Sequence, residues 1–333
     1  MRTIRPIADP RRYGFAVGRV RVLETRLLSR ATFERLLDAA GFADQRRILS
    51  ETPYGGYLET ADTPEDIERA LDRTLADLYA DFLEQANLPE PIVLYFRTGH
   101  DFENLRGRIK AEALGIPADD LVVGLGSVPR EAFLSPEATL PEHMAEAERR
   151  IRAAIADEDD NLDPDLVDAA VDAEMYAALT KIAGDSRSEF LRDLAGFGVD
   201  TANVRAFVRA RAKGLSAAEA ERMFVSGGNV ERGWYVASYR LPLEEAADRI
   251  VRMQGFRGSD PGAMTDVSRI DIAVARLMAA RVHAAGMVAV GPEPVVAYVL
   301  ARRAEIETLR VLLIGKMAGA SKGVLRARLK DVA

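Results

Sequence analysis

The chain has 333 residues, no Cys, three His and a formal net charge of −7. Its length allows two or three domains. The missing Cys excludes disulfides, thiol catalysis and thiolate metal sites, and the acidic balance argues against wholesale nucleic-acid binding.

Hydrophobic residues make up 48% of the chain and aromatic residues 7%, with a single Trp. Abundant Ala, Leu, Glu and Arg favour a helical core, and the few aromatics speak against a β-sandwich or a carbohydrate cleft. The opening MRTIRPIADPRR is basic, but no apolar signal-type segment follows, so it reads as a loose leader. Tyr13, Val17, Val20 and Leu27 predict a helix within 13–29, where Gly14 and Gly18 would let another backbone approach. Thr32 is the expected cap of a second helix through Phe33, Leu36 and Leu37, with Gly41 ending it. A short helix around Arg46 to Leu49 leads into the turn-forming Glu51-Thr52-Pro53-Tyr54-Gly55-Gly56-Tyr57. Thr63-Pro64-Glu65-Asp66 signals another helix start, and Ile67, Leu71, Leu75, Leu78 and Phe82 follow at helical spacing.

Pro89 and Pro91 mark the next break. Ile92 to Phe96 is short enough for a strand, although the repeat described below argues for helix. Ser127 to Pro141 reads as a connector and Glu142 to Ala156 as a helix. Asp157 to Asp165 reads as an acidic turn that lacks the central Gly and terminal Glu of a calcium loop. Ser216 to Glu219 is a capping box, while Ser226 to Tyr239, with Trp234, and Gly255 to Gly262 read as Gly-containing loops. No stretch is long and apolar enough to span a membrane. Gly286 to Ala301 comes nearest and holds Pro292, Glu293 and Pro294.

The chain repeats itself. Asp101 to Gly115, Asp200 to Gly214 and Glu305 to Gly319 form three blocks, starting 99 and 105 residues apart. Each opens on an acid, then carries Asn104, Asn203 or Thr308, then Arg106, Arg205 or Arg310, and closes on Gly. Apolar residues between them (Leu105 and Ile109, Val204 and Val208, Leu309 and Leu313) share one helical face, and the closing Gly suits a residue just past a helix end. Upstream of the blocks stand Leu71-Asp72-x-x-Leu75, Val167-Asp168-x-x-Val171 and Ile270-Asp271-x-x-Val274. These predict an all-α chain of three similar helical units, 1–117, 118–216 and 217–333. The three Arg form either a shared binding ring or a repeated bridge to a carboxylate in the same unit. The bridge is preferred, because side chains repeated with a fold belong to the fold.

No catalytic constellation is present. Gly315-Lys316 lacks the Ser or Thr of a phosphate loop, Gly124-Leu-Gly126 lacks the third Gly of a dinucleotide fingerprint, and His100, His143 and His283 are scattered. Gly319-Ala-Ser321-Lys-Gly323 matches a nucleophile elbow only formally, since no strand precedes it and no His follows. No catalytic, cofactor or metal residue is therefore assigned.

Tyr13-Gly14-Phe15-Ala16-x-x-Arg19-Val20-Arg21, then Glu51-Thr52-Pro53-Tyr54-Gly55-Gly56, then HDFENLR, VDTANVR and EIETLR resemble the C subunit of the rotary V/A-type ATPases of archaea and bacteria, the counterpart of the eukaryotic d subunit. The resemblance spans nearly the whole chain and departs mildly at Glu305 and Thr308. It implies three helical subdomains in a funnel about a pseudo-threefold axis. It also implies a non-catalytic, peripheral rotor subunit on the cytoplasmic face of the cell membrane, without cofactor. Its partners would be the D and F subunits of the central shaft and the proteolipid ring, for ATP-coupled proton or sodium transport. From the residues alone, a free α-helical adaptor or regulatory repeat protein is the alternative.

Overall fold

The computed structural model describes residues 10–119, 121–135, 137–156 and 164–329. Among them every regular element is helical. Most of the basic leader and of the acidic turn at 157–165 lies outside the described residues.

Helix α1 (Gly14–Glu24) buries Ala16, Val17 and Val20. Gly14 and Gly18 meet no close neighbour: a Cβ on either would have nothing within 4 Å, so the expected backbone approach does not occur. Helix α2 (Arg30–Asp38) is capped by Ser29 rather than Thr32, because the Thr32 N–H donates to Ser29 Oγ at 3.2 Å. Gly41 does not end α2. It is the extended N-cap of α3 (Phe42–Leu49). After the single turn α4 (Gly55–Leu58) comes α5 (Pro64–Leu78), which starts from a complete capping box of Thr63 and Asp66 with Pro64 in first position. Its last turn continues as a π-helical segment, Tyr79–Glu84.

Helix α6 (Glu90–Leu114) takes in Ile92 to Phe96, so that stretch is helix and not strand. The chain continues through α7 (Glu142–Ile155), α8 (Pro164–Ser186), α9 (Glu189–Ala212) and α10 (Ala217–Arg222), the last capped by Ser216 and Glu219 as the sequence predicts. The Trp234 stretch is not all loop: α11 (Arg232–Tyr239) forms there, because Tyr235, Ser238 and Tyr239 share a buried face. Then follow α12 (Leu243–Arg252), α13 (Val267–Gly286), α14 (Pro292–Met317) and α15 (Lys322–Leu329).

The chain forms two compact units, one from its two ends (Met1–Leu88 with Ile272–Ala333) and one from its middle (Pro89–Asp271). In the terminal unit, α14 packs against α1, α3 and α5 and buries Val295, Val299, Ile306, Leu309 and Leu313. Each such side chain contributes about 1.5–3 kcal/mol on leaving water. In the middle unit, α8 packs against α6, α7 and α9, over a core that includes Phe102, Leu105, Ile109, Ile151, Val167 and Val171.

Candidate functional site

The three block helices are α6, α9 and α14. Each ends in the same double hydrogen bond around a left-handed Gly. Gly115, Gly214 and Gly319 have φ of 64°, 71° and 72°. The N–H after each Gly donates to a carbonyl five residues back along the chain: Ile116 to Ala111, Leu215 to Ala210, and Ala320 to Gly315, at 3.0, 3.0 and 2.9 Å. The Gly N–H groups donate to Glu112, Arg211 and Lys316. These carbonyls would otherwise lack partners at the helix end, and Gly alone takes that conformation without a Cβ clash.

The opening acids are buried and organise what lies beside them. Asp101 accepts from Ser127 N–H (3.1 Å), Ser127 Oγ–H (2.6 Å) and Val128 N–H (2.9 Å). Burial pushes its carboxyl above the usual range, against the pull of these donors. Asp200 accepts from Asn229 N–H (2.8 Å), Asn229 Nδ2 (2.9 Å) and Val230 N–H (2.9 Å). A Gly lets the loop approach in both cases: a Cβ on Gly126 would stand 2.0 Å from Asp101 Oδ1, and one on Gly228 2.2 Å from Asp200 Oδ1. Glu305 differs. Its donors are Leu28 N–H, the Tyr54 hydroxyl at 2.7 Å and Arg302, whose guanidinium stacks on the Tyr54 ring at 4.3 Å. The segment that follows the first two blocks is thus replaced, for the third, by residues from the start of the chain.

Asn104 and Asn203 each clamp one residue of the following loop in both directions. Asn104 Nδ2 donates to Val123 O and Val123 N–H to Asn104 Oδ1, both at 2.8 Å; Asn203 does the same with Val225, at 2.8 Å each way. Thr308 is too short for this and donates to Ala304 O in its own helix.

The block Arg side chains bind carboxylates. Arg106 lies 2.5 Å from Asp172 and 3.3 Å from Asp168, both in α8. Arg205 Nε lies 2.7 Å from Asp271 in α13. Arg310 lies 2.9 Å from Asp72 and 2.5 Å from Glu68, both in α5. The partner is therefore in the next hundred-residue unit of the sequence, not in the same one, and the third Arg returns to the first motif. Helix packing decides this: α6 lies on α8 and α14 on α5. Burial pushes the Asp72 and Asp172 carboxyls up, opposed by Arg310 and Arg106.

The other sequence candidates gain no chemistry. Ser321 precedes α15 and its Oγ accepts from Val324 N–H, which is a helix cap and not an elbow. Among the described residues no group of three or more His, Asp or Glu could hold a metal ion, and no helix is long and apolar enough to cross a membrane. Sequence reasoning misses Gly126 and Gly228. The shared Gly-polar-Val of Gly126-Ser127-Val128 and Gly228-Asn229-Val230 is the signal that could find them. It also misses Arg302 and Asp172, which carry no repeated pattern.

The repeated residues serve the fold: the block acids and Asn104 and Asn203 hold neighbouring segments, and the block Arg pair with carboxylates of the upstream motifs. The chain matches the ATP synthase (C/AC39) subunit family over residues 16–328 and belongs to that family. It is similar to the V-type ATP synthase C subunit of Thermus thermophilus, 30% identical over 227 residues, 65% of this chain and 68% of that one. The A-type ATP synthase C subunit of Desulfurococcus sp. is 26% identical over 246 residues, 70% of this chain and 67% of that one. That of Pyrococcus furiosus is 27% identical over 240 residues, 66% and 62%. The chain is a non-catalytic subunit of a membrane-associated rotary ATPase of the V/A type.

Proposed function

We propose that the chain is the central-rotor socket of that complex. One side receives the foot of the D/F shaft, and the other rests on the cytoplasmic face of the proteolipid ring. Torque passes through it between ATP turnover and proton or sodium movement. The observation that carries this reading is the order of the Arg bridges, Arg106 to Asp168, Arg205 to Asp271 and Arg310 back to Asp72. A chain of three like elements linked head to tail and returned to its start suits a pseudo-threefold funnel. In this proposal each unit is counted from its block helix, and the last is completed by the N-terminal segment.

A torque-bearing coupler must be stiff, and close-packed helices tied by buried polar bonds meet that need. The free adaptor reading loses its ground with family membership.

The test is deletion of the chain in its own organism, with purification of membranes in mild detergent. The expected outcome is co-purification of the intact chain with ring and head, and, after deletion, ATP hydrolysis by the head without ion pumping. Pumping that persists without the chain would sink the socket role.

A further inference from the structure

The terminal unit carries an apolar patch that neither the repeat nor the Arg bridges use. Among the described residues nine large hydrophobic side chains are exposed, and five of them stand in two short stretches: Phe15 and Val22 of α1, and Met287, Val288 and Val290 of the connection from α13 to α14. Phe15 and Val22 lie two helical turns apart, so they share one face. Phe15 is 65% exposed, Val22 58% and Met287 75%. Single exposed apolar side chains are ordinary, but a cluster of them marks an interaction surface.

Arg21 joins the two stretches. Its guanidinium donates to the Gly286 carbonyl at 2.9 Å and to the Val288 carbonyl at 2.8 Å, so the connection lies against α1 beside Val22. The same guanidinium holds Glu24 at 2.9 Å. The connection is therefore tied down, with Met287 and Val290 still turned to solvent.

The charge around the patch is one-sided. The whole chain is acidic, with 52 Asp and Glu against 45 Lys and Arg. Yet residues 12–30 hold Arg12, Arg19, Arg21, Arg26 and Arg30 and a single acid, Glu24, which Arg21 neutralises. Residues 272–292 hold Arg276, Arg281 and His283 and no acid. The first acid beyond them, Glu293, folds back over Gly291, where a Cβ would stand 2.2 Å from Glu293 Oε2. Arg12, Arg21 and Arg26 are exposed.

Exposed apolar groups rimmed by cations match an anionic interface. A protein partner is met by a rim of mixed polarity, whereas a bilayer surface offers phosphates to Arg and an acyl boundary to Phe, Val and Met. The complex is membrane-associated, so such a surface is within reach. We propose that this patch lies directly on an anionic phospholipid surface. Phe15, Val22, Met287 and Val290 enter the headgroup layer, and Arg12 and Arg26 bind lipid phosphates. The contact is with lipid and not with another subunit, so it stands apart from the socket role.

The experiment mixes the free, full-length chain with vesicles of phosphatidylcholine, alone or with about one third phosphatidylglycerol, and reads the bound fraction by flotation. Binding to the anionic vesicles is expected to be at least about tenfold stronger than to the neutral ones and to weaken as salt rises. Met287→Asp with Val290→Asp should weaken it at least about tenfold, and Arg12→Gln with Arg26→Gln about tenfold. All four side chains are exposed, so the melting temperature should stay unchanged. Leu114→Asp, at an exposed apolar side chain of the middle unit, should change nothing. No binding to anionic vesicles, equal binding to both kinds, or binding indifferent to the Met287 and Val290 substitutions overturns the proposal. If the chain leaves vesicles unbound and the same two substitutions release it from the detergent-purified complex, the proposal is overturned in favour of a protein partner. The vesicle result stands even if the socket role fails.

Discussion

Arg310 Nη2 lies 2.9 Å from Asp72 Oδ1, although 238 residues separate them. The two ends of the chain are therefore joined by charge as well as by the packing of α14 on α5. It is the third link of a series whose first two run forward along the chain, and the three links differ in exposure. That difference sets their worth.

Replacing each block Arg by Gln gives a graded series. The Arg106 side chain is 19% exposed and its partners Asp168 and Asp172 30% and 32%. Arg106→Gln should cost about 2–3 kcal/mol, below the full loss for a completely buried pair. Arg310, with more exposed partners, should cost about 1–2 kcal/mol after solvent screening, and Arg205, paired with a 60% exposed Asp271, less than about 1 kcal/mol. Urea unfolding of the three variants measures this, and an equal cost for all three would contradict it.

The glycines separate two mechanisms. Gly115→Ala, Gly214→Ala and Gly319→Ala each force a Cβ into the left-handed region, at about 1–2 kcal/mol. Gly126→Ala and Gly228→Ala have no such strain, but each displaces a buried carboxylate from its three donors. A loss of at least about 3 kcal/mol is expected for each. Thermal melts should place these two below the three helix-end variants.

Acid stability should show opposite signs at two aspartates. The Asp66 carboxyl is held down at about 2, first by the Asp62 N–H and then by Thr63 and Arg69. Its contribution is present above the unfolded carboxylate range and is lost as pH falls towards 2. Asp172 is raised by burial, so the folded state keeps its proton longer than the unfolded one. Stability from this group falls as pH rises through the window just above the ordinary carboxylate range, then levels. Measured against pH, the wild type should gain on Asp66→Asn and lose on Asp172→Asn as pH rises from the acid side.

The Glu305 cluster should resist a conservative change. Glu305→Asp recreates the acid of the other two blocks, but the shorter arm loses Tyr54 and Leu28, which only a Glu reaches. A cost of about 2–3 kcal/mol is expected, with Tyr54→Phe near 1–2 kcal/mol. A double-mutant cycle of Tyr54→Phe with Glu305→Gln should show coupling of about 1 kcal/mol. Additivity would remove the bond from the account.

Much of this protein is decided locally, and the amino-acid sequence by itself determines that part. The helical class follows from composition and spacing. The ends of α6, α9 and α14 follow from Gly115, Gly214 and Gly319, and the start of α5 from Thr63, Pro64 and Asp66, because caps are decided by a few adjacent residues. The boundaries around Thr32 and Gly41 escape this logic because Ser29 is an equally good cap one turn earlier. The Trp234 stretch escapes it too, because its glycines mask a short helix that tertiary burial stabilises. The motifs of Arg and Asp are visible as repeats, and the family they define is visible with them. Which Arg meets which Asp is not. An ion pair acts over a few ångströms and its members stand 62 to 238 residues apart in sequence, from Arg106 and Asp168 to Arg310 and Asp72. Only the packing of α6 on α8 and of α14 on α5 gives Arg106 and Arg310 their partners and brings the chain's end back to its beginning.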